Sequence, residues 1–308
     1  MTNSATAMAT GRRFARVAFQ GEPGAFSEEA ACNLLGPDVQ TIPCPTFEAL
    51  FAAIARETAE AILAPIENTL AGTIARACDL LWDSALFIQA ETIHRVRHCL
   101  VGARGATLQT IRSVQSHPAA LAQCENFFVR HSLVKRVAGE DTAGSVREVM
   151  AAGDPSCAAI ASRRAAEIYG AQVMLEDIED NAENYTRFLL LAPKISGIAE
   201  ADKMTVLLEL AHRPGSLHRA LAVFSNRGMN LLKIESRPLV GKPWHYRFFL
   251  DVETPPDSQV MQATMRELEA ECEALRLLGW YRAAARPPLG AEAAAVETPA
   301  PAVAGGAR

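Results

Sequence analysis

Long apolar runs are missing: across 308 residues none reaches the roughly 20 that span a bilayer. The stretch before Arg16 also lacks the apolar core of a secretory signal, so the expected location is the cytoplasm, with no membrane partner. The seven cysteines are scattered, odd in number and free of CxxC spacing, which argues against a disulfide framework and a zinc ribbon. Most read as small buried hydrophobes in a reducing compartment. A net charge of only −5 and the lack of a basic helix-turn-helix-like stretch leave nucleic acid and anionic lipid without an attracting field. The lysine of GxxxxGK[ST] and the third glycine of the dinucleotide fingerprint are missing, which disfavours nucleotides. No GxSxG elbow appears, and no second His or Cys stands at ligand spacing from His117, which reads as a helix cap. No metal and no cofactor are expected.

What is present is 49% hydrophobic residues in a chain long enough for two or three cores. RVAFQ (16–20) reads as a strand, and GEPGAFSEEA turns it into a helix that Ser27 is placed to cap. Phe47, Leu50, Phe51 and Ile54 form a helical stripe, and AILAPI (61–66) follows as a buried strand. Further strands are expected at 98–102, 113–116, 134–138 and 157–161, with helices near 118–131, 142–152 and 162–169. Such alternation predicts α/β layers with mainly parallel strands. From Lys203 the order becomes β-α-β-β-α-β, with helices over 216–228 and 257–272, the split pattern of a ferredoxin-like domain. Residues 196–202 read as a linker. Residues 1–13 and the Ala-, Pro- and Gly-rich 285–308 read as disordered.

Polar clusters recur where strands hand over to helices: GEPGAFS (21–27), ENTLAGT (67–73), SHPAAL (116–121) and DTAGS (141–145). That rim is where open α/β sheets bind ligands, and helix starts there offer N–H groups to anions. Any one cluster is equally explained as ordinary loop chemistry. NYTRFLLL (184–191) poses a conflict, because Thr186 and Arg187 open an apolar strand at the end facing away from a parallel sheet's ligand rim. An antiparallel strand returning from the second lobe removes the conflict and sets Thr186 beside Ser27 and Asn68. An exposed polar strand entry explains the pair equally well on sequence physics alone.

FQGEPGAFS, LAPIENTLAGTI, SHPAAL, DTAGS and NYTRF together resemble prephenate dehydratase, and 203–282, with PGSLHRAL and IESRP, resembles its ACT regulatory domain. The resemblance covers nearly all of 16–282, in the monofunctional form without a preceding chorismate mutase segment. It implies a two-lobed, periplasmic-binding-protein-like α/β catalytic domain at 14–195, with lobe one at 14–94 and 181–195 and lobe two at 95–180. An α+β ferredoxin-like ACT domain at 203–283 follows. The implied activity converts prephenate to phenylpyruvate with loss of CO2 and water, in phenylalanine biosynthesis and without a cofactor. Thr186 is the implied donor to the departing hydroxyl. Ser27, Asn68, Thr69, Ser116, Thr142, Ala143, Gly144 and Ser145 are implied substrate-binding positions, with Glu67 and Phe188 beside them. Arg187 alternates away from Thr186 on a regular strand. It either pairs with Glu67 or another acid, or reaches substrate at the strand's frayed end.

A lone βαββαβ sheet has a bare face and free edges, so a homodimer or homotetramer is expected to cover them. The resemblance puts the effector L-phenylalanine between Arg213, Pro214, Gly215, Ser216 and Leu217 of one subunit and Asn230 with Glu235, Ser236, Arg237 and Pro238 of the other. Activity is expected to fall with phenylalanine, and a truncation after Ala192 to stay active but unresponsive. An arogenate dehydratase would differ by a contact to the substrate ammonium. A solute-binding protein would need a signal peptide, and a pure amino-acid sensor has only the ACT-like half in its favour.

Overall fold

The computed structural model describes residues 14–195, 201–239, 241–255 and 258–287. The disorder expected for 1–13 and beyond 287, and linker positions 196–200, lie outside the described residues. Residues 285–287 are irregular in structure.

The chain first lays down β1 (Arg16–Gln20), α1 (Phe26–Leu35), β2 (Gln40–Cys44), α2 (Phe47–Ala55) and β3 (Ala61–Asn68). A short β4 (Gly72–Thr73), α3 (Ala75–Asp83) and β5 (Phe87–Arg95) complete this part. It crosses into β6 (Cys99–Gly102), β7 (Ser113–Ser116), α4 (Pro118–Ala122), α5 (Glu125–Arg130) and β8 (Lys135–Ala138). There it continues through α6 (Thr142–Ala152), β9 (Cys157–Ala161), α7 (Arg163–Tyr169) and β10 (Gln172–Leu175) before returning as β11 (Tyr185–Ala192). The last unit is β12 (Lys203–Glu209), α8 (Ser216–Ser225), β13 (Leu231–Pro238), β14 (Tyr246–Glu253), α9 (Ser258–Glu271) and β15 (Ala274–Tyr281).

Three sheets result, ordered β2-β1-β3-β11-β5 with β4 paired to β3, then β10-β6-β9-β7-β8, then β13-β14-β12-β15. β3 is a nearly all-apolar, buried run, as a central strand requires. β11 enters between β3 and β5 and is antiparallel to both, with Thr186 opposite Asn68 and His94. Its register to β3 skips Ile66, because Phe188 pairs with Pro65 while Arg187 pairs with Glu67. A bulge is where a central sheet tolerates a proline that has no N–H to give.

The helix expected over 118–131 is two short helices. The Asp180 carboxylate takes the N–H groups of Glu125 and Asn126 at 2.7 and 2.9 Å, which starts a new helix after the Gln123–Cys124 break. Ser27 does not cap α1; Ala25 holds that position and Ser27 lies in the first turn. The strands β2, β5 and β10 had no counterpart in the sequence reading. All seven cysteines are free, with Cys44, Cys78, Cys99 and Cys124 buried.

One face of the ACT sheet packs Met204, Val206, Leu208, Leu250 and Val252 onto α8 and α9. The alternate residues Leu207, Phe249, Leu278 and Tyr281 join Ile62, Ile88, Leu189 and Leu191 in a core shared with the first sheet. The bare sheet face expected to need a second subunit is therefore covered by the chain's own first sheet. Arg276 on β15 closes this contact by donating to the carbonyls of Leu81, Trp82 and Leu86 at 2.6–3.0 Å, satisfying the end of α3.

Candidate active site

The cleft between the first two sheets holds a cavity of about 400 Å³ whose lining is mostly apolar, including Phe26, Phe47, Pro65, Ile74, Val96 and Phe188. Its polar groups converge on Thr186, which is 8% exposed. The neighbouring Asn68 has a fixed orientation, because its Oδ1 accepts the backbone N–H of Leu70 at 3.0 Å and of Ala71 at 2.8 Å. Its Nδ2 must then donate to Thr186 Oγ1 at 3.0 Å, with Asn184 Oδ1 at 2.8 Å and the Tyr185 carbonyl also in reach. The same logic runs on: Asn184 Nδ2 donates to Gln123 Oε1 at 3.0 Å, and His98 Nε2 donates to that oxygen at 2.9 Å.

An amide oxygen can only accept, so His98 carries its proton on Nε2, and its buried Nδ1 has no protein partner. Burial pushes the His98 imidazole below its ordinary range, outweighing the bond to Gln123 and the charge of Glu179. Phe26 stacks edge-on against it at 5.5 Å. His94, paired across from Thr186, is pushed down to about 4 by burial. Around Thr186 the cleft thus presents neutral donors and acceptors held between apolar walls, with the carboxylates of Glu140 and Asp141 on its rim.

Two helix starts reach the cavity. Ser27 lies in the first turn of α1, and Thr142 opens α6, where Asp141 accepts the Gly144 N–H at 2.7 Å. First-turn N–H groups have no intrahelical acceptor and suit a substrate carboxylate. His117 also lines the cleft, and its Nδ1 caps α4 by accepting from Ala119 N at 3.2 Å. The lobes meet behind α1: Ser162 Oγ donates to the Gly24 carbonyl at 2.6 Å, and a Cβ at Gly24 would stand 2.6 Å from Ala165 Cα, so only glycine fits.

Ser27, Asn68, Thr142, Thr186 and Phe188 are brought together at the cavity. The other expected positions are not. Ser116 is fully buried and donates to the Ile160 carbonyl at 2.6 Å. Ala143, Gly144 and Ser145 are buried along α6, with Ser145 Oγ donating to the Asp141 carbonyl. Thr69 is tied to the Asn184 flank, donating to the Glu183 carbonyl and accepting from Tyr185 N. Strand alternation turns Glu67 and Arg187 away from the cleft, so neither lines it. Glu67 accepts from Lys233 at 2.9 Å, and of the two roles open to Arg187 the structure shows the pairing with acids, Glu91 and Asp251 closely and Glu67 at 3.9 Å. Asn184, Gln123, His98 and Phe26 were not read as site residues. Asn184 and Phe26 lie inside motifs already singled out, but a satisfied buried amide has no periodic signature.

In the ACT sheet, Arg213, Ser216 and Leu217 line a cavity of about 150 Å³ with Tyr246 and Phe248. Asn230 lies at a separate cavity beside α8. Glu235 and Arg237 point back to the chain's own catalytic part, where Thr73 donates to Glu235 and Arg237 forks onto Asp79 at 2.9 and 3.0 Å. These two contacts hold β13 against β4 and α3. Ser236 and Pro238 lie on the outward-facing alternation of the same strand.

The fold and site define a class: a two-lobed α/β protein with a hydroxyl- and amide-lined cleft and a ferredoxin-like sheet docked behind it. Residues 17–196 match the Prephenate dehydratase family and 204–270 the ACT domain, so the chain belongs to the prephenate dehydratase family. It is 42% identical over 277 residues to "Arogenate dehydratase/prephenate dehydratase 2, chloroplastic" of Arabidopsis thaliana, covering 86% of this chain and 72% of that one. It is 34% identical over 270 residues to the "Bifunctional N-acyl-homoserine lactone acylase/prephenate dehydratase" of Komagataeibacter europaeus, covering 87% and 95%. The crystal structure of a prephenate dehydratase in complex with L-Phe from Arthrobacter aurescens superposes with a TM-score of 0.79 at 31% identity, over 87% of this chain and 89% of that one.

Proposed function

We propose that this enzyme converts prephenate to phenylpyruvate, with Thr186 helping the ring hydroxyl leave. Prephenate needs no electron sink: as its ring carboxylate departs as CO2, the electron pair moves into the ring, the C–O bond breaks and the ring becomes aromatic. The leaving oxygen must gain a proton. The observation that carries the reading is the direction of the Asn68–Thr186 bond. Because Asn68 donates, the Thr186 oxygen is already an acceptor on that side and its own hydrogen is free to point at the substrate. Donation coupled to C–O cleavage suits so weak an acid. The apolar walls strip water from the ring carboxylate, whose charge disperses as CO2 leaves, and hold the ring for reaction. Ser27 and Thr142 at the helix starts take the side-chain carboxylate.

The test is ultraviolet detection of phenylpyruvate when purified protein meets prephenate. Thr186→Ala is expected to lower kcat by about 10²-fold or more with a smaller change in KM, and Thr186→Ser to retain part of the activity. An alanine variant as active as the parent would sink the assignment. Arogenate is the second reading, favoured by the names of the plant relatives and by Glu140 on the cleft rim, which offers a charge to an ammonium. Steady-state rates on both substrates separate them.

We further propose feedback by L-phenylalanine bound at the Arg213–Leu217 loop, including Pro214 and Gly215, and completed by Asn230 of a second copy in a homodimer or homotetramer. The support is the cavity beside Tyr246 and Phe248 and the separation of Asn230 from it within one chain. Among the described residues no helix is long and apolar enough to cross a membrane. A cytoplasmic location remains our proposal.

A further inference from the structure

Behind the cleft, on the face of β11 opposite Thr186, four charged side chains are nearly fully buried. Arg187 is 11% exposed, Lys203 8%, Glu91 2% and Asp251 1%, so two cations meet two anions with little access to water, in the wall of a cavity of about 560 Å³. Each nitrogen of the Arg187 fork is used: Nε reaches Glu91 on β5 at 2.7 Å, Nη1 reaches Asp251 on β14, and Nη2 reaches the Tyr281 hydroxyl on β15 at 3.1 Å. Lys203 Nζ closes the ring at 2.9 and 3.1 Å from the Glu91 oxygens. Thr205 Oγ1 donates to Asp251 at 2.6 Å, so the Tyr281 hydroxyl, 2.7 Å away, donates to Thr205 and accepts from Arg187.

Stability alone does not call for this arrangement, since buried ion pairs are often replaceable by apolar packing without loss. What a planar, three-way fork adds is a fixed relative position of strands from two domains. Arg187 directly follows Thr186, and the bulge at Ile66 falls immediately after it, where the pairing of β11 to β3 loosens and the strand is free to twist. The other end of the linkage leads to the regulatory cavity. Tyr246 and Phe248, which line it with Ser216 and Leu217, lie on the same strand as Asp251. Phe248 and Asp251 are three positions apart along β14, roughly 10 Å.

We propose that Arg187 is a positioning residue for the dehydration: anchored on Asp251 and Glu91, it sets the attitude of β11 at Thr186 and passes movements of β14 to the catalytic hydroxyl. This rests on the role given to Thr186 above. The coupling runs both ways, as any linkage must.

The experiment compares full-length wild type with Asp251→Asn and Arg187→Lys. Asp251→Asn keeps size but removes the charge, and Arg187→Lys keeps the charge but replaces the planar three-nitrogen fork with a single nitrogen. Both are expected to lower kcat by about 10- to 100-fold while KM moves by no more than about threefold, as a small misplacement of a reacting group does. Phenylalanine should still bind by calorimetry but lose its effect on turnover. A variant pair that melts earlier yet keeps wild-type kcat and phenylalanine response would overturn the proposal, leaving the network a plain structural contact. Should Asp251→Asn fail to fold, Arg187→Lys carries the same readouts. Wild-type protein inert toward prephenate would instead indict the functional reading. Hydrogen exchange at the Thr186–Phe188 amides then decides the present one: faster exchange in Arg187→Lys supports it, and unchanged exchange overturns it.

Discussion

Two backbone N–H groups, those of Leu70 and Ala71, set the polarity of a side-chain chain that ends at Thr186. They claim the Asn68 oxygen and leave its amide nitrogen to donate. Asn68→Asp breaks this, because a carboxylate still accepts from Leu70 and Ala71 but can only accept from Thr186, which turns the hydroxyl hydrogen away from the cleft. Its expected loss in kcat is on the order of 10²-fold, comparable with Thr186→Ala, and a near-normal rate in steady-state assays would show that the donor direction does not matter. A second residue-scale consequence concerns His94, whose folded value of about 4 lies below the ordinary 6.5. The depressed direction means the native state refuses a proton that the unfolded chain accepts. The associated stability is complete above about pH 6.5 and is lost as pH falls toward 4, by at most about 3 kcal/mol. Glu29, 3.8 Å from the ring, favours the charged form, but burial outweighs it. The check is the urea midpoint of wild type against His94→Gln between about pH 7 and pH 4.5. The wild type should lose more stability than the variant, and parallel slopes would remove His94 from the account.

At the scale of elements, β15 and β5 approach backbone to backbone. A Cβ at Gly279 would stand 2.9 Å from both the Ile88 Cβ and the Ile88 carbonyl oxygen, and the oxygen belongs to a paired strand that cannot yield. Gly279→Ala is expected to cost about 1–3 kcal/mol in guanidinium unfolding, and an unchanged midpoint would mean that the two sheets slide freely. The order of the ACT elements is legible from sequence, written by apolar periodicity and turn residues. The polar residues at the start of β11 allow two readings, a reversed strand or an exposed strand entry, and the pairing of β11 with β3 and β5 decides for the reversed one. β5 was not legible, because Gln89, Glu91 and His94 interrupt its apolar pattern. Glu91 is tolerated inside only because Lys203 and Arg187, far along the chain, meet it. The break between α4 and α5 was hidden for the same reason, since the carboxylate that starts α5 is Asp180. Thr186, Asn68, Ser27 and Thr142 could be named from motifs, whereas the burial of Ser116 and Ser145 and the outward turn of Glu67 needed the packing.

For the molecule as a whole, the ACT sheet is also a wall of the catalytic part. Leu207, Phe249, Leu278 and Tyr281 complete the core around Leu81, Leu86, Ile88 and Leu191, and Arg276 satisfies the end of α3. A truncation after Ala192, which the sequence reading expects to stay active without responding to phenylalanine, removes all of these at once. It also strips Asp251 and Lys203 from the network, leaving Arg187 and Glu91 paired only with each other on a face now open to water. Each large apolar side chain returned to water costs about 1.5–3 kcal/mol, so baring this face takes a large part of the roughly 5–15 kcal/mol that holds a domain together. The expected outcome is therefore a truncated protein that aggregates or melts well below the full chain, with residual turnover lower than wild type. Adding Leu81→Gln and Ile88→Thr to the truncated chain, so that the uncovered face meets water with polar side chains, should restore solubility but not kcat, because Arg187 still lacks its anchor. A truncated chain with full kcat and an unchanged melting temperature would show that the catalytic part neither leans on the ACT sheet nor takes its geometry from it.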